Sequence, residues 1–246
     1  MCKEEKECCC CCCCDCGCND GDWDECDGGG IPLIGEDAPA FSAVTTQGVI
    51  NFPEDYKGRW VILFSHPADF TPVCTTEFMT FAAMEEDFKK LNCDLIGLSI
   101  DGIHSHIAWL RTIKEKISWN GMENIDVRFP VIADLGMEVA YLYGMVQPNS
   151  SSTSAVRAVF FIDPEAKIRS LMYYPASTGR SFKEIMRVLV ALQTADEHKI
   201  ATPADWEPGD EVIIPPPGSC GAAHDMVSNA GKDYKSLDWF LNTKKL

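Results

Sequence analysis

The segment Ser65–Glu77 (SHPADFTPVCTTE) contains the cysteine with the most distinctive setting in the chain, Cys74. An apolar stretch ends at Ser65, and a loop with two prolines follows. Thr71-Pro72 is typical of a helix start, because threonine is a favoured N-cap and proline suits the first helical position. We therefore expect Cys74 in the first turn of a helix, where free N–H groups and the helix dipole stabilise an anion. The pattern predicts a reactive thiolate.

A helix terminus alone is too weak to ionise a thiol at neutral pH. It stabilises an anion by at most ~2 kcal/mol, whereas moving a thiol pKa from ~8.5 to ~6 takes ~3.4 kcal/mol. A second positive charge is needed, and Arg157 is the candidate because apolar residues flank it in a predicted strand. Arginine is seldom embedded in such a run without a partner. A structural salt bridge, for example to Glu77, explains this arginine equally well.

The elements that must position these residues alternate between strands and helices from Ile31 onward, which is typical of an α/β fold. The helix that carries Cys74 has an apolar stripe with helical spacing, and the strands before and after it are continuous apolar runs, as in strands buried on both faces. The stripe consists of Phe78, Phe81, Met84 and Phe88. The predicted strands are Trp60–Ser65, Asp94–Ile100, Ala155–Ile162 and Lys167–Tyr173, and further helices are predicted at Ser105–Ile117 and Ser181–His198, with Ser181 as a cap.

Composition excludes several classes of function. The chain has 246 residues, of which 46% are hydrophobic and 24% charged, an ordinary balance for one globular domain with appendages. The formal net charge of −16, without a local basic patch, disfavours a nucleic-acid partner. No apolar run approaches the roughly 18 residues of a membrane span, so no membrane partner is predicted.

Residues 1–30 differ sharply from the rest. Eleven of the fourteen cysteines lie between Cys2 and Cys26, among nine acidic and two basic side chains. Such a segment cannot form a core, which predicts a disordered, thiol-rich tail. Thiolates at Cys14, Cys16 and Cys18 could converge on Zn²⁺ or Cu(I), although paired Cys-x-x-Cys knuckles at zinc-finger spacing are absent. The start does not resemble a secretory signal, so we expect a cytoplasmic location.

The carboxyl-terminal part also has its own composition. After about Ala195 the sequence is rich in proline, glycine and acidic residues. Its prolines exclude a central strand or a long helix and predict an extended arm over the domain or over a partner subunit. Near its end, Asp238–Leu241 (DWFL) forms an apolar plug that needs a place to bury. We therefore divide the chain into a tail at 1–30, a domain at 31–195 and an arm at 196–246.

The segment around Cys74 resembles the peroxiredoxins, and specifically their one-cysteine (1-Cys) subclass. Pro67, Thr71 and Cys74 match the family pattern Pro-x-x-x-Thr-x-x-Cys, and HPADFTPVCTTE is the fuller form of the subclass. The likeness continues through RAVFFIDP, TGRSFKEIMRVLVALQ and TPADWEPGDEVIIPP, and so covers nearly everything after the tail. It implies a thioredoxin-like fold, with a central mixed sheet flanked by helices, and an antioxidant thiol peroxidase acting on hydrogen peroxide and organic hydroperoxides without a cofactor.

The resemblance also implies a role for each matching residue. Cys74 would attack the O–O bond and become a sulfenic acid. Thr71 would hydrogen-bond the peroxide, Pro67 would shield the sulfur from water, and Arg157 would stabilise the thiolate and the leaving oxygen.

Three further residues match supporting positions of the subclass. Glu77 would orient the arginine, and Arg180 matches a second arginine near the pocket. His66 matches the histidine of the pocket, and a satisfied histidine at a strand end is the alternative, which can hold at the same time.

The resemblance leaves the reduction of the sulfenic acid open. Several prokaryotic relatives carry two cysteines around a terminal Asp-Trp-Phe, where this chain has Ser236 and Asn242. Cys220 is either a resolving cysteine on a mobile arm or an idle surface thiol, while Cys93 is expected to pack beside a strand. The tail thiols are a third candidate. The implied partners are an external thiol, such as thioredoxin or glutathione, and further copies of this chain, since the subclass generally forms homodimers and sometimes larger assemblies.

The sequence argues against two other functions and leaves two alternatives open. A thioredoxin-type oxidoreductase needs Cys-x-x-Cys at the helix start, but Cys74 is followed by Thr75, Thr76 and Glu77. Some relatives with a Gly-x-Ser-x-Gly motif are phospholipases, but Lys57–Val61 has no serine there, so lipid hydrolysis is not predicted. Two alternatives stay open: a metal-binding or thiol-buffering protein that acts through its tail, and a peroxide-sensing relay that passes oxidation to a partner.

Overall fold

A computed structural model describes residues 30–231 and 233–246 of the chain. The cysteine-rich tail, including the candidate metal ligands Cys14, Cys16 and Cys18, lies outside the described residues. The strands are β1 (Phe41–Thr45), β2 (Gly48–Phe52), β3 (Trp60–Ser65), β4 (Cys93–Ser99), β5 (Ser118–Trp119), β6 (Met122–Glu123), β7 (Val131–Ala133), β8 (Arg157–Ile162), β9 (Ile168–Tyr174), β10 (Val212–Ile214), β11 (Lys235–Asp238) and β12 (Leu241–Lys244). The helices are α1 (Pro72–Lys90), α2 (Ile103–Lys116), α3 (Glu138–Leu142), α4 (Phe182–His198) and α5 (Cys220–Ser228), and a short 3₁₀ helix spans Glu54–Tyr56.

A seven-stranded mixed sheet in the order β2-β1-β7-β4-β3-β8-β9 forms the centre. Its middle strands β7, β4 and β3 are parallel, and β8 pairs with β3 in the antiparallel direction. All six residues of β3 are buried, because alternate side chains enter two different cores. Val61 and Leu63 join the core on one face, while Ile62 and Phe64 join the core on the other. This two-sided burial explains the continuous apolar run.

The predicted elements around the site agree with the structure. Strand β3 has the predicted bounds, and the other predicted strands and helices differ at their ends by one or two residues. Of the aromatic stripe on α1, Phe78, Phe81 and Phe88 have no exposed surface, and Met84 is partly buried. The Ser181 hydroxyl accepts a hydrogen bond from the Glu184 backbone N–H at 3.4 Å, as expected of an N-cap.

The carboxyl-terminal arm is more ordered than predicted. Strands β10, β12 and β11 form a three-stranded antiparallel sheet, and α5 begins soon after the last proline. The prediction of an extended arm was therefore wrong for residues 219 onward. The proline restriction ends at Pro217, and the Ser219 hydroxyl then accepts from the Ala222 N–H at 3.3 Å and caps α5.

The arm is anchored through its first part and not through its end. Trp206 and Val212 are buried in a small core with α4. The expected apolar plug stays in solvent within this chain, because Trp239 and Phe240 lie at the turn between β11 and β12 and are 47% and 50% exposed. Among the described residues, no helix is both long and apolar enough to cross a bilayer.

We predict that Phe88→Ala lowers the free energy of unfolding by about 3–5 kcal/mol, because it leaves a cavity in a well-packed core. Phe88 has no exposed surface and packs against the ring of Phe81. Chemical denaturation measures the change, and Leu135→Ala is the control, since Leu135 is 70% exposed and should cost no more than about 0.5 kcal/mol. A similar small loss for both variants would contradict the assigned core.

Candidate active site

Cys74 lies in the first turn of α1, and its side chain has no exposed surface. Thr71 precedes the helix with extended backbone, and Pro72 takes the first helical position, as predicted. The Thr71 hydroxyl, however, does not cap the helix, so that part of the prediction was wrong. It donates to the carbonyl oxygen of Ala68 at 2.9 Å and thereby closes the preceding loop.

Arg157, the first residue of β8, brings its guanidinium to the sulfur. Its Nη1 lies 3.2 Å from Cys74 Sγ and donates to Glu77 Oε2 at 2.7 Å. On its other side, Nε and Nη2 donate to the carbonyl oxygen of Ala176 at 3.1 and 2.8 Å. Both roles considered for this arginine are therefore present: it forms a buried salt bridge and it contacts the thiol.

Glu77 is the centre of a buried ionic cluster one helical turn after Cys74. Its Oε1 accepts from the backbone N and the Nε of Arg180 at 2.8 and 3.0 Å. Its Oε2 accepts from Arg180 Nη2 and Arg157 Nη1, both at 2.7 Å. Burial alone would raise the pKa of Glu77, but the charge and hydrogen bonds of Arg180, followed by the charge of Arg157, hold it below its usual value. Two guanidinium groups and one carboxylate leave one positive charge beside the sulfur.

Arg180 ties the elements of the site together. Its Nη1 donates to the carbonyl oxygens of Ser65 and Ala158 at 2.9 and 3.0 Å, which joins the end of β3 to the start of β8. Its guanidinium also lies over the rings of Phe64 and Phe81, at 5.2 and 5.6 Å from their centroids. These contacts make Arg180 a scaffold residue of the site, because its hydrogen bonds go to other protein groups and not to the sulfur.

His66 follows β3 directly and is fully buried, with its ring edge-on to Phe78. Its Nε2 lies 3.0 Å from Asp69 Oδ1, while Nδ1 has no hydrogen-bond partner among the described residues. Burial lowers the pKa of His66 more than the hydrogen bond and charge of Asp69 raise it, which favours the neutral ring. His66 is thus only half satisfied. Pro67 follows it, half-buried, in the loop that leads to α1.

Sequence reasoning missed Asp69 and His106, which continue this network. His106 on α2 is buried beside Asp69, and its one sequence signal is a histidine on the apolar side of a helix. The ligand atoms of His66, Asp69 and His106 lie within 4.8 Å of one another, as a metal ion would need. His66 Nε2 and His106 Nδ1 nevertheless both lie at hydrogen-bonding distance from the Asp69 carboxylate, at 2.8–3.0 Å, so we interpret the group as a hydrogen-bond network.

The two other described cysteines lie in different settings. Cys93 begins β4 in the core, and burial raises the pKa of its thiol, which fits a packing role. Cys220 is exposed at the start of α5. The cavity beside it, about 630 Å³, is lined by residues of the arm, from Pro217 to Trp239.

Comparison with known protein families extends over nearly all of the described chain. The model of the AhpC/TSA family matches residues 34–171, and that of the C-terminal domain of 1-Cys peroxiredoxin matches residues 191–225. A peroxiredoxin of Methanosarcina mazei is 63% identical over 215 residues, which cover 87% of this chain and 98% of the relative. A peroxiredoxin of Aquifex aeolicus is 50% identical over 226 residues, which cover 88% and 98%.

Solved structures show the same fold. A yeast mitochondrial 1-Cys peroxiredoxin superposes with a TM-score of 0.76 at 41% identity and covers 88% of this chain and 100% of its own. A cysteine-to-serine mutant of peroxiredoxin 6 of Arenicola marina gives a TM-score of 0.73 at 38% identity, covering 87% and 97%. The predicted thioredoxin-like α/β fold is confirmed. The chain belongs to the AhpC/TSA family, and within it to the 1-Cys peroxiredoxins, which are thiol-dependent peroxidases.

Proposed function

We propose that Cys74 is the peroxidatic cysteine and that it reduces hydrogen peroxide and organic hydroperoxides by direct attack on the O–O bond. The observation that carries this proposal is the contact of 3.2 Å between Cys74 Sγ and Arg157 Nη1 inside the buried ionic cluster. Without the sulfur this cluster has one uncompensated positive charge, which is costly in a protein interior. A thiolate at Cys74 balances that charge, and the thiolate is the nucleophilic form of cysteine.

The reaction that follows is a two-electron oxidation of the sulfur. The thiolate attacks one peroxide oxygen, the O–O bond breaks, and the sulfur becomes a sulfenic acid. The other oxygen leaves with the bonding electron pair and takes up a proton, which gives water or an alcohol. Arg157 already lies beside the sulfur, so it stabilises negative charge as that charge moves toward the leaving oxygen.

The loop before α1 supplies the groups that orient the peroxide. The Thr71 hydroxyl gives its one proton to Ala68, so toward a substrate it acts as an acceptor for the peroxide O–H. The unpartnered Nδ1 of His66 is a second acceptor in this loop, and we assign it to the same pocket. Pro67 shields the sulfur from water. Glu77 and Arg180 are positioning residues, because they act on the sulfur through Arg157.

We further propose that an external thiol reduces the sulfenic acid. The yeast mitochondrial relative is described as resolved through the glutathione and thioredoxin systems, which supports the same class of reductant here. Cys220 lies in a cavity of the arm, away from the contacts of Cys74. Ser236 and Asn242, which replace the two cysteines of some relatives, are direct partners across β11 and β12.

The cysteines of the tail are an alternative, internal source of electrons for reducing the sulfenic acid. The position of Ile31, where the tail joins the domain, supports this alternative. Ile31 packs so closely on Gly144 that a Cβ there would lie 2.5 Å from Ile31 Cγ1. The next residue, Met145, accepts a hydrogen bond from the N–H of Val156, which precedes Arg157. Residue 30 is therefore tied to the end of the sheet that holds the site. Metal content of the full chain and steady-state turnover test the thiol-buffering and sensor alternatives.

The oligomeric state and location also remain proposals. Homodimers, or larger assemblies of this chain, would provide a cover for the exposed apolar side chains of the arm, among them Leu237, Trp239 and Phe240. The cytoplasmic location stays a prediction from the sequence.

We predict that Arg157→Met slows the oxidation of Cys74 by hydrogen peroxide by about 10²–10³-fold, the usual effect of removing a group that stabilises developing charge. Single-turnover mass spectrometry of Cys74 measures the rate. Arg111→Met is the matched control, since the Arg111 side chain is exposed on α2 and its loss should leave the rate unchanged. If Arg157→Met slowed the oxidation of Cys74 by no more than about threefold relative to the unmodified protein, the role assigned to Arg157 would be contradicted.

We predict that Cys220→Ser leaves both the oxidation of Cys74 and turnover with a thioredoxin system unchanged, because an external thiol does the reduction. Peptide mapping after one equivalent of peroxide should find one added oxygen on Cys74. A disulfide from Cys74 to Cys220, or to a tail cysteine, would instead identify an internal resolving thiol and disprove the direct external route.

A further inference from the structure

Three buried side chains form a continuous network behind the loop that precedes α1. Asp69 lies in this loop, and its Oδ1 is 3.0 Å from His66 Nε2. His106 Nδ1, from α2, lies 2.8 Å from Asp69 Oδ2 and 3.0 Å from Oδ1. On the far side of its ring, His106 Nε2 lies 3.1 Å from the carbonyl oxygen of Ile132 in β7. The network therefore connects the loop to α2 and to the central sheet.

The partners of His106 fix the orientation of its ring. A carbonyl oxygen only accepts, so Nε2 must carry a hydrogen. Burial would raise the pKa of Asp69, but the hydrogen bonds of His106 and His66 lower it to about 2, so this carboxylate also only accepts. On the other side of the ring, Nδ1 is the atom that contacts this carboxylate, at 2.8 Å from Oδ2. The neutral His66 donates its Nε2 hydrogen to Asp69, so its Nδ1 is left as a bare acceptor.

The backbone of the same loop is fixed at the same point. The Asp69 N–H donates to Asp101 Oδ2 at 2.9 Å, and the Ser99 hydroxyl donates to the same oxygen at 2.7 Å. Asp69 is thus held through both its backbone and its side chain, between the residues that the proposed reaction uses: His66 and Pro67 before it and Thr71 after it. A shift of about 1 Å in such groups can cost about 10²-fold in rate.

We propose that His106 is a positioning residue of the peroxidase reaction: its ring, held by Ile132, fixes Asp69, and through Asp69 the tautomer of His66 and the course of the loop. The inference rests on the proposed function of Cys74. His106 does not contact the substrate in this scheme, since its ring nitrogens are occupied by Asp69 and Ile132.

Asp69→Asn separates charge from geometry. The amide oxygen of an asparagine can still accept from His66 Nε2, and the side chain keeps the size of the aspartate. This variant therefore removes the charge and keeps the contact to His66. Asp69→Ala removes the contacts altogether.

The test combines rates with nitrogen-15 NMR of the histidine rings in the full chain. We expect His106→Gln to slow Cys74 oxidation by hydrogen peroxide by about tenfold or more. The matched control is His104→Gln, two residues earlier on α2 and exposed, which should leave the rate unchanged. In the unmodified protein, NMR should show a neutral His66 ring with its hydrogen on Nε2 and none on Nδ1, and this single tautomer should be lost in Asp69→Ala.

Asp69→Asn should also retain more of the rate than Asp69→Ala and keep the His66 tautomer, whereas a role in general stability alone would leave that tautomer the same in both variants. The inference is overturned if Asp69→Ala keeps the His66 tautomer of the unmodified protein, or if His106→Gln oxidises Cys74 as fast as His104→Gln. If His106→Gln does not fold, the His66 tautomer in the unmodified protein and in the two Asp69 variants decides. Failure of the unmodified Cys74 to react with peroxide would instead disprove the proposed function.

Discussion

The site depends on the hydrogen bonding of one carboxylate, Glu77, by two buried guanidinium groups. Glu77 comes from α1, Arg157 from the start of β8 and Arg180 from the segment before α4, so the ionic cluster also joins three parts of the fold. Buried charges are costly unless they are paired and hydrogen-bonded. Here each has its partner, and the one surplus positive charge faces the sulfur of Cys74. The same contacts that hold the elements together thus create the electrostatic environment that a nucleophilic thiolate requires.

The fold brings these groups together through the order of its strands. Strands β3 and β8 are antiparallel neighbours in the sheet, so the last residue of β3 and the first residue of β8 lie at the same end of the strands. The chain leaves β3 through His66 and enters α1 one short loop later, which places the N-terminus of α1 at that end of the sheet. The Ser65 hydroxyl donates to the carbonyl oxygen of Val156 and accepts from the N–H of Ala158, and so fixes the two strand ends beside Arg157. The hydrogen-bond network of His66, Asp69 and His106 connects the loop between β3 and α1 to α2 and β7.

Local features of the sequence were sufficient to predict the parts of the site that depend on local structure. The apolar run of β3, the stripe of α1 and the Thr-Pro pair predicted where Cys74 lies, and the isolated arginine in an apolar run predicted a buried partner. Asp69 and His106 were not predicted, because they are 37 residues apart and neither has a distinctive neighbourhood. The Thr71 side chain could not be assigned from sequence, since capping the helix and closing the loop are both open to a hydroxyl. The helix and strands at the end of the arm were not predicted, because the restriction that the prolines impose was extended to residues after Pro217.

The surplus charge in the cluster has a consequence for the oxidised enzyme. In the proposed reaction a thiolate balances that charge, whereas a protonated sulfenic acid is neutral, so oxidation would remove the anion beside Arg157. An unbalanced charge in a dry interior favours any rearrangement that admits water. In the proposed cycle, oxidation would therefore remove a stabilising charge from the buried sulfur at the stage when an external thiol must reach it.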